Sequence, residues 1–310
     1  MKKVDKVLSM NSKINKLYEN KFPILITIGF FLTMFYVAFY HHPIWTEIDG
    51  IYYLNFGKAI LDGNGKDVTI TNGQVGAPIL FAYLDSVFHD AFSIQKTIAI
   101  LSGSGIVLLS FFITKNIFNY RIAILTQLLI AFNPVLQYVS TQALNELLPV
   151  FMIFVSLYFI TKNELKFYDY FIVGTLLGLA AMFRFQALFI LLPILIFILL
   201  RNKKILKNTS NLIIVGFFFL LAFSPQIFYN YSTHGVILDT IPNYYISGVY
   251  AFQTPEWHNT ITSPEYTNLY SIITLDTDLF LKNYFHNLFI HNFDRLFNLQ
   301  YGTFDSLSIV

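Results

Sequence analysis

Four ionisable residues stand where long apolar runs of this sequence begin or end. Glu47 and Asp49 follow the first run, in the stretch "WTEIDGIYYLNFGKAILDGNG". Glu146 begins a later run, and Arg184 lies between two others. A carboxylate can accept a proton from an attacking hydroxyl, and a guanidinium can bind a phosphate. The simpler alternatives are solvated acids, a carboxylate that caps a helix, and an arginine that reaches the lipid headgroups.

The elements that must position these residues are membrane helices. Of the 310 residues, 55% are hydrophobic and only 12% are charged, and the mean hydropathy is +0.57. Several apolar runs approach the roughly 20 residues that a transmembrane helix needs. The chain has no cysteine, which excludes disulfides, thiolate metal sites and cysteine nucleophiles. It also shows no phosphate-binding loop, no GxSxG and no nucleic-acid signature.

The apolar pattern predicts an all-α bundle of about seven spans, with the N-terminus in the cytoplasm. In this orientation 14 of the 20 Lys and Arg fall inside and 14 of the 18 acids fall outside. Short cytoplasmic loops are expected to carry such an excess of positive charge. The predicted spans are 23–40, 93–114, 122–140, 146–161, 168–183, 185–200 and 211–229.

This topology predicts a membrane domain over 1–229 and an extracytoplasmic segment over 230–310. The first outer loop, 41–92, is expected to be structured. After Asp49 its pattern predicts a short interfacial helix that ends at glycines, and a second helix begins at Gly76 with a proline in its first turn. The outer C-terminal segment contains "DTDLFLKNYFHNLFIHNFDRLFNL", which predicts an amphipathic helix.

The order of these pieces resembles the glycosyltransferase-C superfamily, in its protein O-mannosyltransferase-like, lipid-sugar transferase branch. An acid follows the first span, then comes "Y…A…L…G", and later a proline opens a helix. The segments "NPVLQYVSTQALNELLPVFMIFVSLYF", "LAAMFRFQALFILLPILI" and "SPQIFYNYSTHGVIL" look like later family segments in the same order. The resemblance covers about residues 22–240.

The resemblance implies an enzyme that takes a sugar from a polyprenyl or dolichyl phosphate and passes it to an acceptor on the outer face of the cell membrane. A protein, a lipid or a glycan could be the acceptor. Asp49 is expected to be the base. Family members often carry two adjacent acids, whereas Glu47 stands two residues earlier here, so the choice between them and a divalent metal held by both stay open. The residues expected at the donor are Arg184, Glu146, Lys58, Tyr53 and His234.

Two other functions remain possible from the sequence. A transporter or lipid flippase usually places polar groups near the membrane midplane, whereas here they gather at one face. A non-catalytic lipid-binding protein would keep the apolar grooves without needing Asp49. Related enzymes commonly have further helices after the long outer segment, so the chain is expected to be a short member, a fragment or half of a split gene.

Overall fold

The protein is all-helical in a computed structural model, as the sequence predicts. The structure describes residues 21–41, 48–65, 74–143, 146–201, 205–235, 237, 273–274, 276–286 and 289, and no strand occurs among them. The helices are α1 Lys21–His41, α2 Ile48–Leu61, α3 Gly76–Phe88, α4 Ala91–Ile117, α5 Tyr120–Ala131, α6 Pro134–Thr141, α7 Leu147–Thr161, α8 Phe167–Phe183, α9 Ala187–Arg201, α10 Ile205–His234 and α11 Thr277–His286.

Three of these helices are long and apolar enough to cross a bilayer: α1, α4 and α10. The pair α5 and α6 makes a fourth if it is counted as one bent span. Helices α7, α8 and α9 are apolar but have only 15, 17 and 15 residues. At 1.5 Å per residue they extend over about 22–26 Å, less than the ~30 Å of a hydrocarbon core. These helices mark the chain as a membrane protein, and the number of seven spans stays a prediction.

The bend between α5 and α6 measures 54° and has a local cause. The Oδ1 atom of Asn133 accepts a hydrogen bond from the N–H of Leu136 at 2.9 Å, which caps α6. Pro134 occupies the first turn of α6, where its missing N–H costs nothing. The span predicted over 122–140 therefore consists of two helices, because an asparagine cap and a proline begin a new helix in its middle.

The largest buried cluster lies among α7, α8, α9 and α10. Two glycines allow α8 and α10 to pack closely. A Cβ added at Gly174 would lie 2.5 Å from the Val215 carbonyl oxygen, and one at Gly178 would lie 2.4 Å from that of Phe219. Any larger residue would push these helices apart, because packed interiors leave little free volume.

The succession of antiparallel helices gives the bundle two ends. The site end comprises α2, α3, the C-terminal ends of α1, α6, α8 and α10, and the N-terminal ends of α4, α7 and α9. The far end comprises the opposite ends of α1, α4, α7, α8, α9 and α10 and the N-terminal end of α5. Both ends belong to the compact unit formed by residues 1–69 and 74–237.

A second compact unit comprises residues 238–310 with 70–73, and α11 is its described helix. The Oδ1 atom of Asp276 accepts a hydrogen bond from the N–H of Leu279 at 3.0 Å, which caps the helix. Leu281, Tyr284 and Phe285 are exposed on α11. A helix thus occurs inside the predicted amphipathic stretch, and the rest of that stretch lies outside the described residues.

Candidate active site

The chain between α1 and α4 contains the two short helices that the sequence predicts. Helix α2 begins at Ile48, earlier than expected, so that Asp49 belongs to its first turn. It ends before Gly63, whose φ of +79° is a left-handed conformation that favours glycine. Helix α3 begins at Gly76 as predicted, and Pro78 lies in its first turn.

Helices α2 and α3 cross in direct backbone contact. A Cβ added at Gly57 would lie 1.9 Å from the carbonyl oxygen of Pro78, so only glycine fits there. One residue later, the Lys58 ammonium pairs with the carboxylate of Asp85 on α3 at 2.8 Å. The interaction that the structure gives Lys58 is therefore a half-exposed bridge between the two short helices, and its predicted role at a donor phosphate stays a hypothesis.

The first turn of α2 lies against the connection between α6 and α7. A Cβ added at Gly50 would lie 2.5 Å from the carbonyl oxygen of Ala143. On the side of α4, the fully buried Gln95 donates through Nε2 to the Gly50 carbonyl oxygen at 3.3 Å. These contacts fix the backbone next to Asp49 between α4 and the end of α6.

Glu146 and Arg184 form an ion pair at this end of the bundle. Glu146 occupies the N-cap position of α7, but its side chain makes no capping hydrogen bond. Instead its Oε1 accepts from Nη2 of Arg184. Its Oε2 is buried and has no hydrogen-bond partner among the described residues. Glu146 is therefore the ion-pair partner of Arg184 rather than the helix cap that the simpler alternative expected.

Arg184 is held where α8 ends and α9 begins. Its backbone is extended, and its N–H donates to the Ala180 carbonyl oxygen at 2.8 Å. The Gln74 amide spans the residues on either side of it. In the amide orientation that satisfies both contacts, the Gln74 nitrogen donates to the Phe183 carbonyl oxygen at 2.8 Å. The Gln74 oxygen then accepts from the Phe185 N–H at 3.3 Å. The connection from α2 to α3 thus fixes the backbone around Arg184.

Tyr53 connects the first turn of α2 to the same region. Its side chain is buried in a cluster with Ala77, Phe81 and Phe183. Phe183 directly precedes Arg184, and Tyr53 lies about one turn after Gly50. The structure therefore gives Tyr53 a packing role in the wall of the site.

Side chains of α10 bind the connection between α2 and α3. The buried Gln226 accepts from the N–H of Val75 at 2.9 Å and donates through Nε2 to Asn230 Oδ1 at 2.8 Å. Asn230 in turn donates to the carbonyl oxygen of Ile237 at 3.1 Å. The Tyr229 hydroxyl donates to Gly65 O at 3.3 Å. These side chains hold both ends of the α2–α3 connection.

Three of the predicted residues cannot be placed in full. Glu47 and the side chains of Asp49 and His234 lie outside the described residues. Within the described part of the chain, no three His, Asp or Glu side chains come together as metal ligands would. A divalent metal held by Glu47 and Asp49 therefore stays a prediction.

The sequence interpretation missed the partly buried amide Gln74 and the buried helical amides Gln95, Gln226 and Asn230. A signal was present, because polar residues inside apolar helices are rare and face the protein interior. Together the described contacts connect α2 to both members of the arginine–glutamate pair through neighbouring residues. Ala143, three positions before Glu146, contacts Gly50. Phe183, directly before Arg184, packs in one cluster with Tyr53. A fixed guanidinium next to a short helix that carries an acid is an arrangement suited to binding a phosphate and accepting a proton.

Comparison with known proteins bears on the same region. None of the curated proteins and none of the solved structures matches the chain. The model of one family, described as dolichyl-phosphate-mannose-protein mannosyltransferase, matches residues 76–229. This range includes Glu146 and Arg184 but not α1 or α2. Over residues 76–229 the chain is thus similar to the dolichyl-phosphate-mannose-protein mannosyltransferases, a family of membrane glycosyltransferases, which supports the resemblance in its coarse form.

Proposed function

We propose that the chain is a glycosyltransferase that moves a sugar from a dolichyl or polyprenyl phosphate to an acceptor at the site end of the bundle. One observation carries the proposal: Glu146 and Arg184 form an ion pair within the range that matches the family, and Ala143, three positions before Glu146, contacts Gly50 in the first turn of α2. A lipid-linked donor keeps its tail in the bilayer and its phosphosugar at the interface. The reacting groups therefore belong at the helix ends.

Arg184 binds the donor phosphate in this proposal, and Glu146 orients the guanidinium. Arg184 is one-quarter exposed, at 25%, whereas its backbone is fixed by α8 and Gln74. Charge-assisted hydrogen bonds to phosphate are strongest when the donor is held in place. As the carbon–oxygen bond to the phosphate breaks, negative charge grows on the leaving oxygen. A preorganised cation stabilises that charge.

Asp49 is the general base. The acceptor hydroxyl oxygen bonds to the anomeric carbon, its proton passes to the Asp49 carboxylate, and the carrier phosphate leaves with the electron pair of the broken bond. Gly50 contributes to this step through the backbone, because its contacts with Ala143 and Gln95 fix the first turn of α2. The role of Glu47 stays an alternative to that of Asp49.

The charge distribution supports placing the site end outside the cytoplasm. Among the described residues, the basic side chains of the far end are Lys21, Lys115, Arg121, Lys162, Lys166 and Arg201. Positive loops face the cytoplasm. Seven spans are part of the proposal, since α7, α8 and α9 can cross a locally thinned bilayer. Residues 1–229 then form the catalytic membrane domain, and 230–310 lie outside.

Transfer from a defined donor tests the function. The whole chain in liposomes would be given dolichyl-phosphate-mannose labelled in the sugar, and loss of label from the donor would be followed. We expect Asp49→Asn to lower the rate by at least about 100-fold, because general-base catalysis contributes that much. Asp85→Asn is the matched control and should keep the parental rate, since Asp85 pairs with Lys58.

Two outcomes would contradict the proposal. A parent that leaves every lipid-phosphate sugar intact would remove the transferase function. A parent that transfers sugar with Asp49→Asn at an equal rate would remove Asp49 as the base, and Glu47→Gln would then identify the acid that acts.

A further inference from the structure

A cleft of about 250 Å³ separates the end of α1 from α6. One wall is apolar, with Met34 and Val37 on α1 and Pro134 at the start of α6. The other wall is polar and comprises Gln137, Tyr138, Thr141 and Gln142.

The polar wall contains an unsatisfied acceptor. Gln142 is only 3% exposed, and its Oε1 has no hydrogen-bond partner among the described residues. Its Nε2 donates to the Thr141 hydroxyl at 3.4 Å. Thr141 donates to Tyr138 O at 2.8 Å, and Gln137 Nε2 donates to Ala131 O at 2.9 Å. The network uses these donors internally, and a buried acceptor without a partner is costly.

The lining determines what class of ligand the cleft fits. None of the seven described lining residues is charged. A phosphate or a carboxylate would therefore enter without a counter-charge, which is unfavourable away from water. Gln142 Oε1 has almost no accessible surface, so a hydroxyl or an amide N–H satisfies it after the Gln142 side chain turns toward the cleft that it lines. The ligand is thus neutral and carries a hydrogen-bond donor.

The surroundings indicate that this ligand is a lipid. The side chains next to the cleft on α1 and α6 are exposed and apolar or aromatic: Phe35, Tyr36, Tyr40 and Val135. Exposed apolar side chains on a candidate span face acyl chains. A ligand that reaches the cleft along α1 therefore passes through the bilayer, with its apolar part against Met34 and Val37.

We propose that the α1–α6 cleft binds a neutral lipid through a free hydroxyl group, which donates a hydrogen bond to Gln142. Gln142 precedes Ala143, whose carbonyl contacts the first turn of α2. The bound hydroxyl group therefore lies on the chain segment that also borders the candidate active site. The proposal concerns binding alone, so its test needs no sugar transfer and is independent of the proposed reaction.

Photo-crosslinking of the whole chain in liposomes tests the proposal. The probe is a diacylglycerol with a diazirine in one acyl chain, and the control probe is its methyl ether, which lacks the donor hydroxyl. We expect the free hydroxyl to raise labelling of residues 34–37 and 134–142 about fivefold, the effect of one hydrogen bond. Gln142→Leu should abolish this difference between the probes.

Gln127→Leu is the matched control variant. Gln127 is also a buried amide with an unpaired Oε1, but it contacts Pro23 and Thr27 near the other end of α1. It should keep the preference for the free hydroxyl. Val37→Trp, which fills the cleft without removing a polar group, should reduce labelling by both probes. Equal labelling by the two probes in the parent, or an unchanged preference in Gln142→Leu, would overturn the proposal.

Discussion

The two ends of the bundle each contain an arginine beside one end of α7, but they satisfy their polar groups differently. At the far end Arg201 donates to the carbonyl oxygens of Ile160, Lys162 and Asn163. The buried Asp169 there accepts at both oxygens, from Lys162 Nζ at 3.0 Å and from the Lys166 N–H at 2.7 Å. At the site end the carboxylate that pairs with Arg184 has one buried oxygen without a described partner.

Buried polar atoms without a described partner extend this contrast. Five side chains carry one, and three of them are at the site end: Gln95, Gln142 and Glu146. The exceptions are Ser104, in the middle of α4, and Gln127. Proteins normally pair buried polar groups, so an unpaired one calls for an explanation. Most buried polar atoms of the far end have hydrogen-bond partners, whereas several at the site end have none among the described residues. We infer that the far end stabilises the helix packing and that the site end binds a ligand.

Cysteine labelling would show which end of the bundle faces the outside of the cell, because an impermeant reagent reacts only with cysteines on that side. The chain has no native cysteine, so Asn64→Cys at the site end and Asn163→Cys at the far end are clean reporters, and both positions are exposed. An impermeant maleimide added to intact cells should label position 64 only. Position 163 should react after permeabilisation. The reverse pattern would place the proposed site in the cytoplasm.

Arg201→Gln should destabilise the protein by about 2 kcal/mol, because three carbonyl oxygens lose a charged donor. Thermal unfolding in detergent measures this effect. Arg121→Gln is the control, since Arg121 is exposed at the same end and has no side-chain hydrogen bond among the described residues; it should change stability by less than about 0.5 kcal/mol. Equal effects of the two substitutions would remove the structural role of Arg201.

Gly57→Ala should cost about 1–3 kcal/mol through overpacking, because its Cβ would meet the Pro78 backbone. It should also lower sugar transfer by moving α2. Gly29→Ala is the matched control in α1, since nothing lies within 4 Å of its Cβ position. The free energy of unfolding and the rate of sugar transfer would be measured for both variants. Parental values for Gly57→Ala would show that α2 and α3 do not need this close crossing.

Lys58→Met should have the smallest effect. Lys58 is 51% exposed, and exposed ion pairs contribute only about 0–1 kcal/mol. We expect near-parental stability and an unchanged Michaelis constant for the lipid donor. A large rise in that constant would instead return Lys58 to the phosphate site that the sequence predicted.

Local signals in the sequence predicted the elements better than the site. Gly76 and the following proline predicted α3, and apolar runs predicted the long helices. The same runs concealed the break at Asn133–Pro134, because hydropathy does not report a helix cap. The sequence also did not reveal which residues contact each other across the bundle. Glu146 and Arg184 are 38 positions apart, and Val75 and Gln226 are 151 apart. No local spacing encodes such contacts, since they depend on how the helices pack.

The central claim is that the site end binds the phosphate of the lipid carrier. Its most direct test is the affinity of the whole chain in detergent for a polyprenyl phosphate, measured for the parent, Arg184→Gln and Arg201→Gln. Loss of one charge-assisted bond to phosphate should weaken binding by about 10–100-fold. The account predicts that loss for Arg184→Gln and parental affinity for folded Arg201→Gln. Parental affinity in Arg184→Gln, or an equal loss in both variants, would contradict it.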